Sequence, residues 1–99
     1  MTNFLEELQT KLKNIILDRS NKNSYTKSLI NSGSEQIAKK VIEEAFEVCL
    51  ASIEGNGHKN GKEQITLESA DLLYHLLVLL NSRNIDINDV FDELKKREK

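Results

Sequence analysis

Between Lys62 and Ser82 the chain carries Leu67, Leu72, Leu73, Leu76, Leu77, Val78, Leu79 and Leu80. Wound as a helix these residues leave almost no wet side, and such a segment is normally buried among other elements. Three polar side chains interrupt it: Glu68, Asp71 and His75 fall in one narrow sector, bordered by Val78 on one side and by Leu72 and Leu79 on the other. Burying an ionised carboxylate without a partner costs several kcal/mol, so something positive has to face this sector. Any fold for the chain must both cover a leucine-rich helix and answer the charge of its acids.

The flanking segments are helical as well. Phe4, Leu5, Leu8, Leu12, Ile15 and Ile16 recur at steps of three and four, which predicts an amphipathic helix from Phe4 to Leu17. Asn3 with Glu6 predicts its capped start. Residues 18 to 24 read as a polar loop, and Ser24 to Ile30 as a short helix before a break at Gly33. A long helix is predicted from Glu35 to Glu54 with Gly55 as terminator, then a link from Gly55 to Gly61. After the leucine-rich helix a last one runs from Asn88 to Arg97, with Val90, Phe91 and Leu94 inward and Asp86 near its start. The pattern shows no strand alternation, no repeat and no second domain.

The expected fold is therefore all-α, a bundle of four to five helices forming a single domain over residues 1–99. A chain of 99 residues buries only roughly 60 to 65% of its unfolded surface. Four or five short helices do not easily cover the leucine-rich one, so a homodimer is expected to complete the core.

Composition narrows the partners. Charged residues are 30% of the chain and the formal net charge is -2, which gives no basic footprint for nucleic acid. The longest unbroken apolar run, Leu76 to Leu80, is far short of the ~20 residues that cross a bilayer. Cys49 stands alone, so no intrachain disulfide and no thiolate metal cage can form. Met1 to Glu7 has no signal-peptide character, and the expected compartment is the cytoplasm.

On the helix before the link, Glu43, Glu44 and Glu47 share an arc of about 100°. The opposite, wider face holds Ile37, Val41, Ile42, Ala45, Val48, Cys49 and Ile53. Taken alone, these glutamates read as the wet side of an amphipathic helix. The next helix changes that reading, because two antiparallel helices joined by a short link pack side by side and set Glu68 and Asp71 opposite Glu44 and Glu47. Four or five acids so gathered repel one another unless a cation sits among them, and a divalent metal answers this better than Lys40 alone. An all-oxygen donor set without Cys suits Mg²⁺ or Mn²⁺ rather than Zn²⁺. Mg²⁺ completes its shell with waters and substrate phosphates, which points to a polyphosphate substrate.

Glu43-Glu44-x-x-Glu47 followed after residues 48 to 67 by Glu68-x-x-Asp71 resembles the signature of the all-helical nucleoside triphosphate pyrophosphohydrolases, the MazG-like superfamily. Within it the sequence is most similar to phosphoribosyl-ATP pyrophosphohydrolases. That narrower resemblance rests on Ser24-Tyr25-Thr26, on Lys39-Lys40-Val41 leading into Glu43-Glu44-Ala45, and on the run from Ala70 through Asp71-Leu72-Leu73-Tyr74-His75 to Val78. It covers nearly the whole chain. Ile42 and Phe46 are larger than the Gly and Thr expected at those family positions, and a proline often found ahead of Ser24 is absent.

The resemblance implies a MazG-like bundle and the second step of histidine biosynthesis, in which phosphoribosyl-ATP and water give phosphoribosyl-AMP and pyrophosphate. It implies Mg²⁺ held by Glu44, Glu47, Glu68 and Asp71, with Glu43 as general base or supporting acid. Lys40 is either a phosphate contact or a helix-surface partner of Glu44. Lys27 is the better phosphate candidate among Arg19, Lys22 and Lys27. Ser24 and Thr26 suit hydrogen bonding to phosphate and capping of the short helix equally. His75 either orients Asp71 or is a satisfied core histidine, and Tyr74 and Cys49 read as packing residues, Cys49 as a small buried hydrophobe. Two other readings share the sequence: a MazG-like hydrolase that removes unwanted nucleoside triphosphates, and a non-catalytic helical adaptor whose acids bind a basic partner.

Overall fold

The structure is a computed structural model and describes residues 3–18, 24–54 and 61–98. Five helices follow one another in it: α1 (Phe4–Leu17), α2 (Tyr25–Ser32), α3 (Ser34–Glu54), α4 (Gly61–Ser82) and α5 (Ile87–Arg97), with no strand among the described residues. The expected all-α architecture is the one observed, with α2 two residues longer at its end and α3, α4 and α5 each starting one residue early. The link from Gly55 to Asn60 lies outside the described residues, as do Arg19 and Lys22.

Local chemistry accounts for the helix ends. Asn3 Oδ1 accepts from the Glu6 backbone N–H at 2.9 Å while Asn3 Nδ2 donates to Glu6 Oε1 at 3.1 Å. This reciprocal pair satisfies a donor that the first turn of α1 cannot satisfy itself. Ser24 caps α2, its Oγ accepting from Lys27 N–H at 3.3 Å. Asp86 caps α5 through Asn88 N–H at 2.8 Å, and Lys95, Lys96 and Arg97 fill the last turn, where cations complement the exposed carbonyls.

Gly33 joins two helices at once. Its N–H closes α2 on the Ile30 carbonyl at 3.2 Å, and its own carbonyl accepts from Ile37 N–H at 3.2 Å to open α3. It does so at φ 95, a conformation side chains rarely adopt. The break predicted there is thus a sharp corner that folds α2 back on α3.

α3 and α4 form the central helix pair. Ser34 Oγ, at the start of α3, lies 3.1 Å from Ser82 Oγ, at the end of α4, so the two run antiparallel. Leu12, Leu29, Ile37, Leu77, Val78 and Ile87 make the buried core, one or two residues from every helix. Each such side chain contributes about 1.5–3 kcal/mol on burial. α1 packs on α2 and α4, α5 packs on α1, and Gln9 of α1 is buried. Its Nε2 donates to the Ile85 carbonyl at 2.8 Å and its Oε1 accepts from Ile87 N–H at 2.8 Å.

The width of the α3 apolar face is where expectation and structure part. Ile37 is fully buried, but Ile42, Phe46 and Ile53 are 61% to 75% exposed and Cys49 is exposed with them. Cys49 is therefore not the buried hydrophobe its type suggested. α3 is covered along one side by α4 and α2, and these four residues, at helical steps of three and four, form a separate outer stripe. The leucine-rich α4 is likewise not covered all round, since Leu67 and Leu73 are exposed.

Candidate metal centre

Two turns separate Ile37 from Glu44, which brings the glutamate round to the α4 side of α3. Its side chain is only 17% exposed. From α4, Glu68 and Asp71 reach the same place, and carboxylate oxygens of Glu44, Glu68 and Asp71 all lie within 4.8 Å of one another. Three like charges at that spacing repel, and the acids of Glu68 and Asp71 are one helical turn apart on the face toward α3. Gln64 Nε2 donates to Glu68 Oε1 at 2.8 Å and holds that carboxylate from the preceding turn.

The acids are not sunk in hydrocarbon as the leucine run suggested. Asp71 is exposed and Glu68 half-buried, so the sector opens to solvent on one side and is walled by α3 on the other. Glu47 is exposed and lies outside the three-carboxylate group. Glu43 faces away, pairing with Lys40 at 3.5 Å, and the expected pairing of Lys40 with Glu44 is not the one formed. An exposed pair of this kind contributes about 0.2–1 kcal/mol.

The segment before the site is turned differently from its composition. Thr26 is buried, its Oγ1 2.5 Å from the Tyr74 hydroxyl, so it ties α2 to α4 and is not presented to a phosphate. Ser24 uses its oxygen as the α2 cap, and Lys27 is half-buried in the first turn. Tyr25 and Tyr74 stack with ring centroids 6.1 Å apart, and both set an edge against His75. Burial pushes the Tyr74 phenol above its usual 10.0, the Thr26 hydrogen bond pulling the other way and Tyr25 adding to the rise.

His75 sits beneath the carboxylates. Its Nδ1 is 2.9 Å from the Asp71 carbonyl oxygen and 3.8 Å from Glu44 Oε1, while its Nε2 is 2.9 Å from the Tyr25 hydroxyl. In the sequence Tyr25 has no role of its own, and it enters only as the middle residue of the Ser24-Tyr25-Thr26 segment that carries the resemblance.

Carboxylates converging from two antiparallel helices, without sulfur and with an open side, suit a hard divalent cation that keeps room for water or substrate oxygens. A family model described as phosphoribosyl-ATP pyrophosphohydrolase matches residues 5–98 of the chain. The chain belongs to that family. The phosphoribosyl-ATP pyrophosphatase of Pyrobaculum aerophilum is 46% identical over 96 residues, covering 97% of this chain and 96% of its own length. That of Metallosphaera sedula is 44% identical over 102 residues and is covered end to end, as is this chain. The histidine biosynthesis bifunctional protein HisIE of Buchnera aphidicola subsp. Schizaphis graminum is 44% identical over 99 residues, and there the chain spans 44% of the relative's length. The phosphoribosyl-ATP pyrophosphohydrolase family thus includes stand-alone proteins of this size and longer proteins of which it forms a part.

Proposed function

We propose that this chain is a Mg²⁺-dependent phosphoribosyl-ATP pyrophosphohydrolase that adds water between the α and β phosphates of phosphoribosyl-ATP, giving phosphoribosyl-AMP and pyrophosphate in histidine biosynthesis. The observation that carries the reading is the convergence of Glu44, Glu68 and Asp71 within 4.8 Å across the α3–α4 pair, in a chain that belongs to a family of that name. These three residues would hold the ion, with Glu47, one turn along α3, as the fourth carboxylate. Bound there, Mg²⁺ supplies neutralisation of charge developing at phosphorus and a lowered pKa for water.

The remaining roles fall to groups around the carboxylates. Lys40 and Lys27 are proposed to meet the substrate's phosphates, Lys40 from the turn of α3 before Glu44 and Lys27 from the first turn of α2. The Ser24 hydroxyl accepts at its oxygen in capping α2, and its proton is assigned to a phosphate oxygen. Thr26 acts through packing, fixing α2 against Tyr74. Glu43, which pairs with Lys40 outside the carboxylate group, is the proposed supporting acid, holding Lys40 in place for the phosphates.

The test is direct: purified protein, Mg²⁺ and phosphoribosyl-ATP should yield pyrophosphate and phosphoribosyl-AMP in equal amounts, and chelation should stop it. Release of orthophosphate, or no turnover with Mg²⁺ present, overturns the proposal. Offered dCTP or dUTP in competition, the protein should leave them intact; preferential pyrophosphate release from either would place it with the nucleoside triphosphate hydrolases of wider specificity.

The homodimer is proposed to form on the outer stripe of α3, where Ile42, Phe46, Cys49 and Ile53 present apolar surface continuous along the helix. Phe46→Ser should shift sedimentation from dimer to monomer at micromolar concentration. A wild-type protein that already sediments as a monomer there would dismiss the dimer. Among the described residues no helix is long and apolar enough to cross a membrane, and the cytoplasm is the proposed compartment.

A further inference from the structure

A chain of contacts leads away from the carboxylates to α2. The Asp71 carbonyl oxygen can only accept, so the His75 nitrogen 2.9 Å from it, Nδ1, carries the proton. In a neutral imidazole Nε2 is then an acceptor, and the Tyr25 hydroxyl 2.9 Å away donates to it. His75 is 6% exposed, which leaves little room for water to take over that donation. The Nδ1–H edge so fixed also faces Glu44 Oε1 at 3.8 Å. In the other tautomer a lone pair would point at both the Asp71 carbonyl and the Glu44 carboxylate, and repulsion would turn the ring or the glutamate away.

We infer that Tyr25 and His75 are a positioning pair for the metal-binding carboxylates, the tyrosine hydroxyl holding the histidine ring in the orientation and tautomer that keep Glu44 aligned with Asp71 and Glu68. This rests on the metal reading of the site. Tyr25 is suited to the task because it is anchored by stacking on Tyr74 and follows the Ser24 cap, so its hydroxyl is delivered by a fixed helix end. Tyr74 provides the built-in comparison: it bridges the same two helices and sets its ring against His75 at 5.0 Å, but its hydroxyl goes to Thr26. If the pair only glued α2 to α4, the two tyrosine hydroxyls would be equivalent.

Mn²⁺ binding to the whole chain without substrate, followed by electron paramagnetic resonance, separates these cases. Wild type and Asp71→Asn come first: if the wild type binds no Mn²⁺, the metal reading itself falls. Where wild type binds and Asp71→Asn does not, Tyr25→Phe should raise the Mn²⁺ dissociation constant about tenfold, and Tyr74→Phe should leave it within about twofold, in line with what partners one step removed from a metal are worth. His75→Gln, which loses the ring's fixed geometry, should weaken binding at least as much as Tyr25→Phe. Circular dichroism melts establish that each variant is folded. Wild-type Mn²⁺ affinity in Tyr25→Phe, or an equal loss in Tyr74→Phe, overturns the inference while leaving the metal site standing.

Discussion

Asp71→Asn should release pyrophosphate from phosphoribosyl-ATP about 10³-fold more slowly than wild type, because a metal's charge stabilisation is worth several kcal/mol and each 1.4 kcal/mol is tenfold in rate. Asparagine keeps the shape and removes the charge. Asp71 is exposed and packs little, so the fold has no reason to suffer. With no metal present the variant should melt no lower than wild type, since one of three mutually repelling carboxylates in the Glu44, Glu68 and Asp71 group has gone. Adding Mn²⁺ should raise the wild-type melting temperature and leave the variant's unmoved, because a ligand stabilises only a fold that binds it, by about 2.7 kcal/mol at a hundred times the dissociation constant. Undiminished turnover in Asp71→Asn would remove it from the catalytic machinery; lost turnover with a lowered metal-free melting temperature would make it a structural residue.

Leu77→Ala should lower the melting temperature by about 8–40 °C, the second large effect. Leu77 is 1% exposed and lies where α4 meets the rest of the core cluster. Truncating a buried leucine costs about 2–5 kcal/mol through lost transfer energy and the cavity left behind. In a domain of 60–100 residues each kcal/mol moves the midpoint by about 4–8 °C. Leu73→Ala, on the same helix but exposed, should fall by less than about 5 °C on the same scale. Thermal unfolding of both at one protein concentration decides the matter, and equal shifts would mean that α4 is covered on its outer side as well.

The helices were legible because their signals are local. Apolar steps of three and four mark α1 and α5, although Leu94, read as inward, is 60% exposed, and the ends follow from Asn3, Ser24, Gly33 and Asp86, each acting within a few residues of itself. The meeting of Glu44 with Glu68 and Asp71 was legible for a related reason: a short link makes the two helices antiparallel, and period then sets which faces meet. What escaped is whatever depends on how far a helix is rotated against its neighbour. α3 has apolar residues over so wide an arc that Ile37 could go inward while Ile42, Phe46, Cys49 and Ile53 stayed out. A side chain's choice between two partners is similarly hidden, as when Lys40 pairs with Glu43 instead of Glu44. The Tyr25–His75 bond spans 50 residues, and nothing near either residue announces the other.

The Gln9 amide bears on how the chain can be shortened. Its two hydrogen bonds reach 76 and 78 residues along the sequence, to the turn before α5 and to that helix's first residue. Cutting the chain after α4 would take both partners from an amide that is buried in the intact chain, and the missing bonds are of the kind whose loss inside a protein is expensive. The carboxylates all lie upstream of such a cut, yet the last eleven-residue helix is no dispensable tail: the first helix is fastened through it.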